Sequence, residues 1–360
     1  MTKYETLSNQ LTEQIAENLR KGITALPTEA QLTAQYHVSR QTVRAALALL
    51  QSKGLIESRQ GSGSYATGLS PDSDQNRIPI LITCSQEYIY PSLLTDIRQA
   101  LLEKGYQLQI LATENNTSIE RTHLRSLLEN PPRALIVEGT KSALPTPNAD
   151  LYEKLKAENT RLLFLHNHYD ALTGEACVKD DNYYGGYLLA NHLTDLGHTC
   201  IAGLFKIDDK QGHERYFGAA CCLRDLGLSL PDTRVGWFQS ADVNALEKKQ
   251  DTRFLAAYIK EQLSDCTAVI CYNDEIAYWL VKELAYAGIQ VPRDISVVSF
   301  DNSYLSDLSS VRLTTLTHKP HEIGKTTADN ILRLLQGIPT ISQELPWELV
   351  QKESDGPART

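Results

Sequence analysis

Apolar residues recur every four positions at the start of the chain. Leu7, Leu11, Ile15 and Leu19 make one stripe, which predicts an amphipathic helix that Gly22 is placed to end. A second helix is expected from Thr28. Thr28 and Gln31 have the spacing of a capping box behind Pro27, and Leu32, Tyr36 and Val38 supply apolar contacts. Ser39 then caps a third helix that buries Val43, Ala46, Leu47 and Leu50, with Gly54 at its stop. Leu55–Arg59 and Ser64–Thr67 read as two short strands around the glycine-rich "QGSG". Two helices in close succession followed by a hairpin make a winged helix-turn-helix. The polar stretch Leu69–Asn76, with Pro and Ser, reads as a linker.

Beyond Arg77 the pattern changes. Short apolar runs follow one another: "IPILIT", "YQLQILAT", "RALIVEG", "RLLFLHN", "TCIAGLFK", "TAVICYN" and "ISVVSFD". Helical stretches such as Ser92–Lys104, Gly185–Leu196 and Glu275–Ala287 lie between many of them. This alternation predicts an α/β body of parallel sheets covered by helices. Its length of about 280 residues is long for one sheet, so two doubly wound lobes are expected. The expected domains are a head over 1–68, a linker over 69–77 and a body over 78–360.

Composition fits a soluble globular protein: 42% of the 360 residues are hydrophobic and 22% charged. No apolar run reaches the ~18 residues of a membrane span, and the N-terminus lacks the apolar core of a signal peptide. A cytoplasmic protein is expected. The seven cysteines include no C-x-x-C pair, which points to free buried thiols rather than disulfides or zinc. Charge changes the picture more. The net charge is -9, yet residues 1–68 carry seven Lys/Arg against five Asp/Glu. A slightly basic head on an acidic body fits a nucleic-acid module joined to something else.

Arg40 and Arg44 share one helix face, opposite Val43 and Leu47. They stand at a helix start, where the dipole disfavours positive charge. An external polyanion accounts for them. Recognition helices present their N-terminal residues to base edges. Arg40, Gln41 and Arg44 are therefore candidates for base contacts, since arginine pairs with guanine and glutamine with adenine. Ser39 and Thr42 suit phosphates. The tip Gln60, Gly61, Ser62, Gly63 brings bare backbone to DNA. "GSGSYATG" is not a dinucleotide loop, because a strand and a polar linker follow it rather than a helix.

In open α/β sheets ligands bind beyond the carboxyl ends of the strands. Those exits carry Glu138 with Lys141, then His166, Asn167 and His168, then Lys206, Asp208 and Asp209, then Asn273 and Asp274, and last Asp301 and Asn302. Tyr88, Tyr90, Trp237 and Phe238 lie nearby in sequence. Charged and amide groups beside aromatic rings suit a small polyhydroxylated ligand. His166 and His168 share a strand face, but two ligands are too few for a metal, and no cofactor motif is evident. No P-loop, G-x-S-x-G elbow or H-E-x-x-H occurs. Asp180–Asp181 and Asp208–Asp209 are adjacent pairs, which do not supply opposed catalytic carboxylates. A binding protein is expected. The alternative from another class is a sugar-converting enzyme with an autoregulatory DNA-binding head.

The stretch "LPTEAQL…YHVSRQTVRAALALLQSKGLIESRQGSGSY" is similar to the GntR-family winged-helix domain. That resemblance implies DNA contacts at Glu29, Arg40, Arg44, Gln60, Gly61 and Gly63. One departure is the segment "GITALPTE", which is shorter than the usual family form. From about Ile78 on, "DDNYYGGYLLANHLTDLGH", "CYNDEIA", "VPRDISVVSFDN" and "LTTL" resemble LacI-family effector domains, relatives of periplasmic sugar-binding proteins. This implies two lobes with ligand in the cleft and contacts from Asp181, Arg215 and Asp301. Head and body together, with "YIYPS", "VEGTKSALPTPN" and "FKIDDKQG", resemble the arabinose-repressor family of Gram-positive bacteria. The resemblance implies a repressor that binds operator DNA as a homodimer and is released by L-arabinose. A corepressor-dependent repressor or an activator responding to another sugar stays open at this point, because the sign of the response lies in dimer geometry.

Overall fold

The computed structural model describes residues 3–20, 23–52, 55–59, 63–66, 76–84, 88–172 and 174–359. Contacts divide the chain into two compact units, Met1–Pro79 with Arg98–Gln109, and Ile80–Ile97 with Ile110–Thr360. Most of the expected linker, the expected helix stops Gly22 and Gly54, and the wing residues Gln60, Gly61 and Ser62 lie outside the described residues.

The head contains α1 (Lys3–Arg20), α2 (Glu29–Tyr36), α3 (Arg40–Ser52), β1 (Ile56–Arg59) and β2 (Gly63–Ala66). Leu7, Leu11 and Ile15 pack with Leu32, Val43, Ala46, Leu50 and Ile56 into one core, as their spacing predicts. Thr28 and Gln31 form the capping box of α2. The Ser39 hydroxyl accepts from the Thr42 amide at 3.2 Å and so caps α3. β1 and β2 pair antiparallel, Ile56 opposite Ala66. The chain before α2 adds to this hairpin: Leu26 N–H donates to Ser64 O at 2.9 Å, and Ala25 bridges Tyr65. The wing is therefore bridged by the segment before α2, which local periodicity does not announce.

The body begins with β3 (Arg77–Ile82), α4 (Tyr90–Leu102), β4 (Gln107–Ala112), α5 (Thr117–Glu129), β5 (Ala134–Val137), α6 (Ala149–Ala157), β6 (Arg161–Leu165) and β7 (Ala176–Asp180). The chain then crosses to a second lobe: α7 (Asn182–Asp195), β8 (Ile201–Lys206), α8 (Lys210–Asp225), β9 (Val235–Phe238), α9 (Ser240–Lys249), α10 (Arg253–Gln262), β10 (Ala268–Cys271), α11 (Asp274–Tyr286), β11 (Ser296–Phe300), α12 (Tyr304–Leu308) and β12 (Thr314–Thr317). It returns to the first lobe for α13 (Glu322–Leu335) and β13 (Gln343–Leu345), and goes back for β14 (Glu348–Val350). Two six-stranded sheets result, β13-β7-β6-β5-β3-β4 and β14-β12-β11-β10-β8-β9. The lobes are joined by three crossovers, at Asp181, at His318–His321 and at Pro346–Trp347.

All seven apolar runs of the body are strands. β7, β9, β12, β13 and β14 stand beside them without a comparable apolar run in the sequence. In each sheet the strand order reverses, between β3 and β5 in one and between β8 and β10 in the other. Such a switch point opens a crevice at the carboxyl ends. Within the second lobe α7 and α8 approach so closely that a Cβ on Gly186 would meet Arg215 O at 2.0 Å, and one on Gly218 would meet Tyr183 O at 1.9 Å. These glycines lie in the "GGY" and "RYFG" motifs, and their contact sets the position of Arg215. All seven cysteines are free thiols. Among the described residues no helix is long and apolar enough to cross a membrane.

Candidate functional site

On the head, Arg40, Gln41 and Arg44 are exposed at the start of α3, while Val43 is fully buried behind them. Arg44 Nε sits between both oxygens of Glu29, at 3.0 and 3.1 Å. The two side chains remain 72% and 40% exposed. Such an ion pair in water contributes only ~0–1 kcal/mol, so a phosphate or a base edge can displace it at small cost. Ser39 and Thr42 share a hydroxyl hydrogen bond of 2.9 Å. Gly63 is exposed with φ +103, a conformation that L side chains rarely adopt.

In the body the strand exits converge on a cavity of about 420 Å³, within the range usual for small-molecule sites. Of the sequence-derived candidates, Tyr88, Tyr90, Glu138, Lys141, Asn273 and Asp301 line it. Glu138 Oε2 accepts from the Thr83 amide and hydroxyl, both at 2.6 Å, and its Oε1 accepts from Tyr90 Oη at 3.0 Å. Tyr88 Oη donates to Asp301 Oδ2 at 2.6 Å across the cleft. Ser142 Oγ donates to Asp209 Oδ1 at 2.9 Å, also across it, and Lys141 Nζ lies 3.8 Å from Asp208. Tyr88, Glu114, Asn115, Lys141, His166 and Asp301 all have positive φ and all line the cavity. Left-handed backbone at bulky residues concentrates at ligand sites.

Six candidates are not brought to the cavity wall, His168 and Asn302 among them. Asp181 caps α7, accepting from Tyr184 N–H at 2.9 Å, and its neighbour Asp180 lines the cavity instead. Trp237 is 40% exposed on an outer face against Tyr216 and His213, and its neighbour Phe238 lines the cavity. Asp274 is fully buried one step beneath Asn273. Its carboxylate accepts from Thr315 Oγ1 at 2.7 Å and Ser303 N–H at 2.6 Å. Burial, with Asp301 nearby, raises its pKa to about 7. Arg215 lies behind the wall, 1% exposed. It donates to Asn182 Oδ1, the Tyr272 carbonyl, Gln211 Oε1 and Asp301 Oδ1. Phe300, Tyr272 and Trp347 rings lie 4.2, 4.9 and 5.6 Å from its guanidinium carbon. It anchors Asp301, which does face the cavity.

Several lining residues were at most strand exits in the sequence: Asp180, His166, Lys206, Asp209, Gln211 and Tyr272. His166 stands out. It is 4% exposed, and neither ring nitrogen has a hydrogen-bond partner. Its Nδ1 is 3.6 Å from Asp180 Oδ2, an ion-pair distance rather than a hydrogen bond. Burial opposes charge on the ring, but Asp180, with Glu138 and Asp301 further off, outweighs it and raises the pKa to about 9. Burial likewise opposes ionisation of Asp180, yet His166 and His318 hold it well below the usual carboxylate range. The wall carries eight carboxylates against three lysines and His166. That balance repels anionic ligands and favours neutral, hydroxyl-rich ones. Among the described residues no group of three or more His, Cys, Asp or Glu is placed to hold a metal.

Residues 3–65 match the bacterial regulatory proteins of the gntR family, and residues 190–354 match a periplasmic binding protein-like domain. An arabinose metabolism transcriptional repressor of Halalkalibacterium halodurans is 33% identical over 341 residues, covering 93% of this chain and 90% of that one. The chain belongs to the arabinose metabolism transcriptional repressor family. A second member, from Geobacillus stearothermophilus, is 31% identical over 93% of this chain and 92% of its own. The fold is shared with a LacI family regulator of Enterococcus faecium solved with bound ribose, at TM-score 0.65 and 23% identity, covering 79% of this chain and 100% of that one. Membership makes the chain a sugar-responsive transcriptional repressor and not an enzyme.

Proposed function

We propose that the chain represses transcription by binding operator DNA as a homodimer, and that L-arabinose in the cleft of the body releases it. The observation that carries this reading is the cavity: a volume of about 420 Å³, walls of carboxylates and amides with tyrosine rings, and contacts that close across the cleft. A pentose presents hydroxyls that both donate and accept, which such walls can match. The two relatives are arabinose metabolism repressors, which supports the choice of sugar. The head supplies Arg40, Gln41 and Arg44 for bases, Glu29 to hold Arg44 at the DNA surface, and Ser39, Thr42 and the wing with Gly63 for placement on the backbone. One recognition helix reads few bases, which favours two copies on a two-fold-related site. The head, the linker and the body from about Ile78 are read as separate functional parts.

The test is an operator-binding assay with the full chain and a panel of L-arabinose, D-ribose, D-xylose, hexoses and arabinose phosphate. Release by L-arabinose alone, at concentrations matching its calorimetric affinity, is the expected result. Release by the phosphorylated sugar, or tighter DNA binding with L-arabinose, overturns the reading.

A further inference from the structure

The three crossovers between the lobes meet at one side chain. His318 belongs to the crossover from β12 to α13. Its Nδ1 is 3.0 Å from Pro346 O, on the crossover from β13 to β14. Its Nε2 is 2.9 Å from Asp180 Oδ1, where β7 leaves the first lobe. The Nε2 contact is off the hydrogen-bond line, so it is an ion pair rather than a directed bond. The ring stacks on Trp347, with centroids 3.7 Å apart and planes 29° apart. A carbonyl and a carboxylate both accept, so both ring nitrogens face acceptors, and only the imidazolium satisfies both. Asp180 turns its other oxygen toward His166 Nδ1, and His166 lines the cavity wall.

We propose that His318 is a positioning residue for the sugar site: as an imidazolium it clasps the three crossovers together and, through Asp180, sets the place of His166 in the cavity wall. This rests on the sugar reading of the cleft and adds the part that links the occupied site to the hinge. Lobe closure moves residues on either side of the crossovers, so a clasp there favours one arrangement of the lobes. The charges acting on the clasp are Asp180 at the end of β7 and Asp301 just after β11, with His166, just after β6, acting on Asp180. Burial lowers the His318 pKa, but Asp180 and the Pro346 carbonyl more than offset it, so the net shift is upward.

The experiment compares the full-length wild type with His318→Gln between pH 6.5 and pH 9.5. Calorimetry with L-arabinose reads the site. The variant is expected to bind about tenfold more weakly at pH 7, as for loss of a charge-assisted contact, and the ratio of the two dissociation constants should shrink as the pH rises through the His318 titration. A ratio that stays constant with pH describes a merely structural role and overturns the proposal. Tryptophan emission without sugar is the second readout. Stacked imidazolium quenches Trp347, so wild-type emission should rise with pH, and the rise should vanish in both His318→Gln and Trp347→Phe. If L-arabinose binds neither protein, the sugar reading fails while the emission titration still decides the clasp. Should His318→Gln not fold, a wild-type emission flat from pH 6.5 to pH 9.5 overturns the proposal on its own, and a rise absent from Trp347→Phe supports it.

Discussion

In the head, Glu29 and Arg44 form their pair in water, 40% and 72% exposed; in the body, Asp301 and Arg215 form theirs at 10% and 2%. Both are one arginine beside one carboxylate, at 3.0 and 3.4 Å. The first is screened and easily traded for another anion. The second is locked by further acceptors and by rings, and losing one partner strands the other in a poor solvent for charge. The head can thus exchange its partner for DNA without rearranging. The body cannot release its pair so cheaply. Four substitutions or conditions probe this contrast.

The largest effect is expected from Arg215→Ala. Asp301 and the Tyr272 carbonyl lose their donor inside the protein, and a loss of about 3–5 kcal/mol of stability is expected. Urea unfolding followed by tryptophan emission measures it, since Trp237, Trp279 and Trp347 all lie in the body. Sugar affinity should fall with it, leaving DNA bound when arabinose is present. A loss below about 1 kcal/mol would place this pair with surface pairs.

Next comes alkali. The His166 pKa of about 9 in the folded chain lies above its ordinary 6.5. The associated stability is complete below pH 6.5 and lost as the pH rises through about 9, on the order of 3 kcal/mol at most. Urea midpoints at pH 7 and pH 9.5 give the number; an unchanged or higher midpoint at pH 9.5 contradicts the charged His166.

How much of this was readable beforehand differs between the two regions for the same reason. In the head the capping box, the Ser39 cap and the Arg40–Arg44 spacing act within one or two helical turns, so the sequence displays them. The bridge onto the wing escaped, because Ala25 finds its partner at Tyr65, far along the chain. In the body the strand exits were visible, but side-chain parity at those exits was not. Asp181, Trp237 and Asp274 each sit one position from a lining residue, since one step along extended chain turns a side chain to the opposite face. His318 carried no local signal at all. Its meaning comes from three chain segments that meet only in the folded body.

A smaller effect returns to the head. Arg44→Ala should cost about 1–3 kcal/mol at the operator and relax preference at one base per half-site. The thermal midpoint of the chain should hardly move, because the pair with Glu29 is exposed. Fluorescence anisotropy on operator and random DNA separates these outcomes: equal losses on both assign Arg44 to phosphate. Smallest is Ser142→Ala. It removes the bond to Asp209 Oδ1 and the one from Lys210 N–H, both across the cleft, together a net ~1 kcal/mol, and should weaken L-arabinose several-fold in calorimetry without affecting operator binding in the absence of sugar.

The bridged wing has a consequence for anyone exchanging heads between regulators. Leu26 and Ala66 are tied by backbone bonds to Ser64 and Thr24, so the stretch before α2 and the hairpin after α3 form one piece. A chimera spliced between residues 23 and 28, or one that lengthens this stretch to the more usual family form, would shift the hairpin against the recognition helix. The unit that can be transplanted runs from α1 through β2, and grafting α3 alone would carry over its reading residues without the part that sets their angle on the duplex.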